Sequence, residues 1–130
     1  MKRHKRLPSD LQYDDEADLL KDVKEWLEPQ RRDGIKMMRI CDRYTRGYSD
    51  IFICVRGLLV VAELKDKTGT ASQHQLDFID DIIACGGIGG VCRTVKEVAD
   101  LVEQAKERVN ARRFEYADSD TLRSGLQSAT

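Results

Sequence analysis

Residues 47–65 read Gly-Tyr-Ser-Asp-Ile-Phe-Ile-Cys-Val-Arg-Gly-Leu-Leu-Val-Val-Ala-Glu-Leu-Lys, and the reading of this stretch decides the fold. Two apolar runs, Ile51 to Val55 and Leu58 to Leu64, are separated by Arg56-Gly57. Runs of this kind joined by two residues ending in Gly predict a β-hairpin with a tight turn. Apolar side chains occupy both parities of each run, which predicts central strands covered by helices on both faces. Three charged residues interrupt this background: Asp50 at the mouth of the first run, and Glu63 and Lys65 near the end of the second. Glu63 and Lys65 are two apart, so on a strand they share a face. Antiparallel pairing across the turn sets residue i opposite about 113 − i, which brings Asp50 opposite Glu63.

Carboxylates crowded in a partly buried place raise one another's pKa, and a divalent metal removes the conflict. Mg²⁺ is held through one or two carboxylates and keeps waters for substrate phosphates. A neighbouring Lys can then position or deprotonate a water, or stabilise charge developing on a phosphate. The plainer reading of the same residues is a surface hairpin with an ordinary Glu–Lys pair.

Outward from the hairpin, residues 36–44 read as a further strand, the outer one, with Met38, Ile40 and Asp42 on one face and Met37, Arg39, Cys41 and Arg43 on the other. Arg43 and Arg46 stand near Asp50, placed to hold phosphates. Before a polar turn at 30–34, a helix is expected to begin after Pro8-Ser9-Asp10, capped by Ser9 or Asp10, and to be stopped by Pro29. Its buried stripe is Leu19, Leu20, Val23 and Leu27, with Tyr13 and Trp26 at the edges. Glu16 falls on the meridian of that stripe, an unusual place for a carboxylate.

On the C-terminal side, residues 66–71 form a loop with a turn at Gly69, and Ser72 is a good N-cap for a helix reaching about Cys85. Its stripe is Phe78, Ile79, Ile82 and Ile83, headed by Gln75 at the end nearest Lys65. His74 points away from it. Residues 86–90, Gly-Gly-Ile-Gly-Gly, break the helix and lack the spacing of a phosphate-binding loop. Val91-Cys92-Arg93 is the centre of a last strand, and a third helix is expected from Thr94 to about Val109. Beyond Arg113 the chain turns Ser-, Asp- and Thr-rich, so residues 1–113 are read as one domain and 114–130 as a flexible tail.

A chain of 130 residues has room for one core, and its net charge of −1 carries no global nucleic-acid signature. The four cysteines have no paired ligand spacing and read as reduced thiols of an intracellular, cytoplasmic protein. The basic start, Met-Lys-Arg-His-Lys-Arg, has no apolar run behind it and is not read as a secretory signal. Nothing is long enough to span a membrane.

The order α-β-β-β-α-β-α carries Glu16, Gly47-x-x-Asp50, Glu63-x-Lys65 followed by Gly69, Ser72-x-x-Gln75 and a late Gly-rich turn with Arg93. In this it resembles the virus-type replication–repair nuclease (VRR-NUC) branch of the PD-(D/E)xK superfamily, in its small stand-alone form. The family usually has Pro before the Asp, where this chain has Ser49. The resemblance implies an α/β, restriction-endonuclease-like core with a mixed central four-stranded sheet flanked by helices. It implies a Mg²⁺- or Mn²⁺-dependent DNA endonuclease. Asp50, Glu63 and the Leu64 carbonyl would hold the metal, and Glu16 would complete the acidic cluster. Lys65 would handle the water, and Gln75 would hold Lys65 or the phosphate. Arg43, Arg46, Lys67, Ser72 and Arg93 would meet DNA. Small members resemble Holliday-junction resolvases, which implies branched DNA as partner, a homodimer, and a role in DNA repair or recombination in a bacterial or phage setting. The alternatives are a flap, nicking or restriction-type nuclease of the same fold, or an inactive DNA-binding module.

Overall fold

The computed structural model describes residues 8–38 and 51–128, and side chains as far as 113. The hairpin predicted at its centre is present. Strand β2 (Ile51–Val55) and strand β3 (Leu58–Leu64) pair antiparallel, with Ile51 opposite Ala62 and Val55 opposite Leu58. Every pair sums to the expected 113. Arg56 (φ 51°) and Gly57 (φ 91°) turn the chain, both left-handed, as the twist of a two-residue hairpin requires. For Arg56 that conformation costs about 1–2 kcal/mol relative to a glycine.

Strand β1 (Ile35–Met38) adds to the outer edge of β2, again antiparallel. On the other side, β4 (Ile88–Cys92) runs parallel to β3, connected through helix α2 (Gln73–Ala84). The sheet order is β1-β2-β3-β4. It is the expected mixed α/β architecture, completed by α1 (Glu16–Leu27) and α3 (Val95–Ser128).

One face of the sheet makes the core. Ile51, Ile53, Val55, Leu58, Val60, Ala62 and Leu64 are buried in one cluster with Leu19, Val23 and Leu27 of α1 and Val98, Val102, Ala105 and Val109 of α3. The opposite face carries α2, whose Ile79 is buried and whose Phe78 ring stacks on Phe52 at 5.8 Å. A single helix leaves this face less fully covered than the apolar parities suggested. Phe52, Cys54 and Leu59 are half-buried, and Ile83, expected inward, is half-exposed.

Four boundaries differ from expectation. Helix α1 starts at Glu16, where the Asp15 carboxylate accepts from Ala17 N at 2.9 Å. Ser9 instead closes a turn on Leu11 N, and its carbonyl accepts from Lys96 N at 3.0 Å. The segment before Asp15 is therefore an arm laid on α3, and Tyr13 is buried within it. Its hydroxyl donates to Asp22 at 2.6 Å, and burial, with Asp22 beside it, pushes the phenol up to about 12. The polar turn at 30–34 is a 3-10 helix, Glu28–Asp33, because buried Gln30 donates to the Trp26 carbonyl at 2.8 Å.

Helix α3 runs past the expected end near Val109 to Ser128; no proline interrupts it. Lastly, Gly89 and Gly90 belong to β4 and not to a turn. A Cβ at Gly89 would stand 2.7 Å from Val61 Cγ2 and 3.1 Å from Ile79 Cγ2, so the missing side chain is what lets α2 lie close on the sheet. Gly89 is thus used inside the chain. Trp26, read at the edge of the α1 stripe, packs against the core.

Gly89→Ala should cost about 1–3 kcal/mol in urea denaturation, because Val61 and Ile79 must give way. Gly90→Ala is the control, since its added methyl meets only Leu101 at 3.6 Å, an ordinary contact. Equal stabilities of the two variants would contradict this packing.

Candidate active site

Glu63 is the buried anomaly of the sheet. It sits on central strand β3, on the face that carries α2, with no solvent exposure. A buried carboxylate is costly unless it is paired and hydrogen-bonded. Gln75 Nε2 donates to Glu63 Oε1 at 2.6 Å, and Lys65 Nζ stands 3.4 Å from the same oxygen. The Lys65 side chain is 17% exposed, so the pair opens to solvent on the lysine side.

The start of α2 fixes Gln75. Ser72 Oγ accepts from Gln75 N at 3.2 Å, and Gln75 Oε1 accepts from Ser72 N at 2.8 Å. This reciprocal capping box occupies the amide oxygen. The amide nitrogen is then the atom left to face Glu63. Sequence reading placed Gln75 toward Lys65 or a phosphate; its partner is Glu63. Ser72, expected on DNA, spends its hydroxyl and its N–H on this cap.

The loop after β3 is tied to the end of β4 and to the arm before α1. Lys65 N donates to the Cys92 carbonyl at 3.0 Å, extending the β3–β4 ladder by one residue. Arg93 Nη1 donates to the Asp66 carbonyl at 2.5 Å, and Lys67 N donates to the Tyr13 carbonyl at 2.9 Å. The Asp66 carboxylate accepts from Thr68 N at 2.9 Å, Thr68 Oγ1 at 3.1 Å and Gly69 N at 2.7 Å. These donors, with Arg93 nearby, hold its pKa below the usual carboxylate range. Lys67, expected as a free cation for DNA, is paired with the Asp14 carboxylate, which raises its pKa.

The Lys67–Tyr13 bond brings the start of α1, and with it Glu16, to the end of the sheet where β3 finishes. Glu16 is half-buried there, on the first turn of a helix that covers the other sheet face. Asp50, Arg43 and Arg46 lie outside the described residues. Sequence reasoning missed the Arg93–Asp66 tie. It also passed over Asp66-x-Thr68-Gly69, although Asp two and three residues before such N–H groups is the signal of a side-chain-closed turn.

A mixed sheet with Glu-x-Lys on its central strand and a helical Gln over the carboxylate defines a restriction-endonuclease-like α/β fold. A solved structure described as a VRR_NUC domain shares it at a TM-score of 0.55 and 24% identity, over 68% of this chain and 94% of that one. No protein-family model and no curated protein matches the sequence. At that identity the likeness is one of fold.

Gln75→Ala removes one hydrogen bond to a buried carboxylate and half of a cap. It should cost about 1–3 kcal/mol of stability, read by urea denaturation. A loss below a few tenths would mean that Glu63 does not depend on Gln75.

Arg93→Gln should loosen residues 66–69, read as faster amide exchange at Thr68 and Gly69. Because the folded pKa of Asp66 is lowered, its contribution is complete above the unfolded value near about 4. It is lost as pH falls through the lowered folded value. The same amides should therefore lose protection in acid, and Asp66→Ala should abolish that dependence. Unchanged exchange in both variants would dismiss the tie.

Proposed function

We propose that the chain is a metal-dependent DNA endonuclease of the VRR-NUC type, acting selectively on branched DNA in the manner of a Holliday-junction resolvase. The observation that carries this reading is a fully buried Glu63 within 3.4 Å of Lys65, on the fold of a VRR_NUC domain. Among the described residues no group of three or more His, Cys, Asp or Glu side chains converges, so a metal site there needs Asp50 as well. The donor that is present suits a hard cation, since Glu63 offers a carboxylate on β3.

Mg²⁺ or Mn²⁺ would be held by Asp50, Glu63 and the Leu64 carbonyl, with Glu16 nearby. Bound there, it would supply Lewis acidity at a phosphoryl oxygen and a more acidic water. The chain's own part is orientation. Gln75 holds the Glu63 carboxylate in one rotamer, and the capping box keeps Gln75 from turning away. Lys65, pinned through its N–H to Cys92, directs its ammonium to the water or to the charge that grows on the phosphate. A junction offers two equivalent strands, which an isologous dimer matches. Cys54, Cys85 and Cys92 are free thiols, in keeping with a reducing interior. Among the described residues no helix is long and apolar enough to cross a membrane.

The test is cleavage of a four-way junction with Mg²⁺ and then with EDTA, beside flapped, nicked and linear DNAs. Lys65→Ala should keep DNA binding and lower turnover on the order of 10²-fold or more. Glu63→Gln keeps the shape and should abolish cleavage. Cleavage confined to flaps or nicks by a monomer, read by light scattering, would replace the junction reading. Wild-type turnover in both variants would remove Glu63 and Lys65 from the site, and wild-type protein that cuts none of these DNAs would end the nuclease assignment.

A further inference from the structure

At the far end of β3 from Glu63 the sheet closes on a groove of about 290 Å³ lined by Arg56, Gly57, Leu58, Val109, Arg112 and Arg113. Its floor is apolar, its walls carry three guanidinium groups, and among the described residues no carboxylate lines it. Among the described residues none of the three arginines is in an ion pair. Like charges gathered without a counter-charge repel one another, so their convergence needs another reason.

Arg56 is built into position. It stands in a left-handed conformation that Asn or Gly adopts more readily, at the tip of the hairpin. Its N–H donates to the Gly34 carbonyl at 2.7 Å, and its Nε donates to the Asp33 carbonyl at 3.1 Å. A Cβ at Gly34 would come within 3.0 Å of Arg56 Cγ, so the glycine leaves the space the arginine stem fills. The α3 side is anchored as well: Arg108 Nη1 donates to the Gly86 and Gly87 carbonyls at 3.1 and 3.3 Å. Arg112 follows one helical turn later, and Arg113 beside it.

We infer that this groove binds a phosphate group. Guanidinium forks fit phosphate oxygens bidentately, and arginine is the side chain that phosphate sites favour. The phosphate belongs either to a nucleic-acid backbone or to a free phosphate. Leu58 in the groove and Glu63 are five strand positions apart, roughly 16 Å. On the endonuclease reading, which this source rests upon, the groove would grip a backbone phosphate well away from the cut bond. A free-phosphate site stands without that reading.

The test uses the full-length chain. Inorganic phosphate at about 10 mM, the weak end of specific binding, should shift the amide signals of 56–58, 109 and 112–113 in the wild type. It should leave them in place in the double variant Arg112→Gln/Arg113→Gln. In EDTA, binding of a short duplex to both proteins is followed across a salt series. Each lost phosphate contact lowers the slope of log K against log salt by about 0.9, so the double variant should lose up to about 2. Loss of both responses assigns the groove to the DNA backbone, and loss of the phosphate response alone assigns it to a free phosphate. Phosphate shifts spread evenly over all basic residues, or none at all with an unchanged slope, overturn the site. Were the double variant unfolded, the wild-type titration would still decide, and Arg112→Lys/Arg113→Lys would carry the DNA arm. Wild-type protein that fails to cut any DNA bears on Glu63 and Lys65 alone.

Discussion

The burial of the Glu63 carboxylate on the central strand is the constraint to which its neighbours conform. A carboxylate taken fully out of water carries a penalty of several kcal/mol unless partners replace the lost hydration. Gln75 from α2 and Lys65 from the end of the same strand reach one of its oxygens. The Gln75 amide can serve only because the capping box turns it, so the first turn of α2 and the carboxylate form one unit. That unit in turn requires α2 to lie close on β3 and β4. The bare Gly89 position allows that approach.

Lys65 is held less by its own side chain than by the backbone that follows it. Cys92, Arg93 and Tyr13 each take or give one hydrogen bond to residues 65–67, and Asp66 closes the turn from within. Four separate parts of the chain meet at this point: the arm before α1, the end of β3, the end of β4 and the loop to α2. On the proposed nuclease reading the ammonium needs that kind of restraint, because a misplacement of about 1 Å can cost as much as 10²-fold in rate. Arg93 and Lys67, which the family resemblance would place on DNA, act within the fold as ties.

Charge is distributed unevenly for a chain whose net value is −1. The end of the sheet that holds Glu63 also carries the acidic start of α1, with Asp14, Asp15 and Glu16. The opposite end gathers Arg56, Arg112 and Arg113 around one groove. A polyanion meeting such a molecule would be attracted to one end and would need cations to approach the other.

Much of this was legible in the order of residues. The two-residue turn and the parities of Ile51–Val55 and Leu58–Leu64 set the hairpin register, because turn chemistry and period-2 alternation act within a few residues. Glu63 and Lys65 had to share a face for the same reason, and Ser72 stood out as the N-cap of α2. The start of α1 was misread because Ser9 is a good cap in isolation, and only its contact with Leu11 and the reach of the arm to Lys96 displace the helix to Asp15. Which side chain Gln75 holds, why Gly89 has none, how Arg93 meets Asp66 and which arginines share a groove with Arg56 were decided by tertiary structure alone. Each joins segments far apart in the chain, and the strength of such a contact depends on the packing that brings its partners together, which no local pattern records.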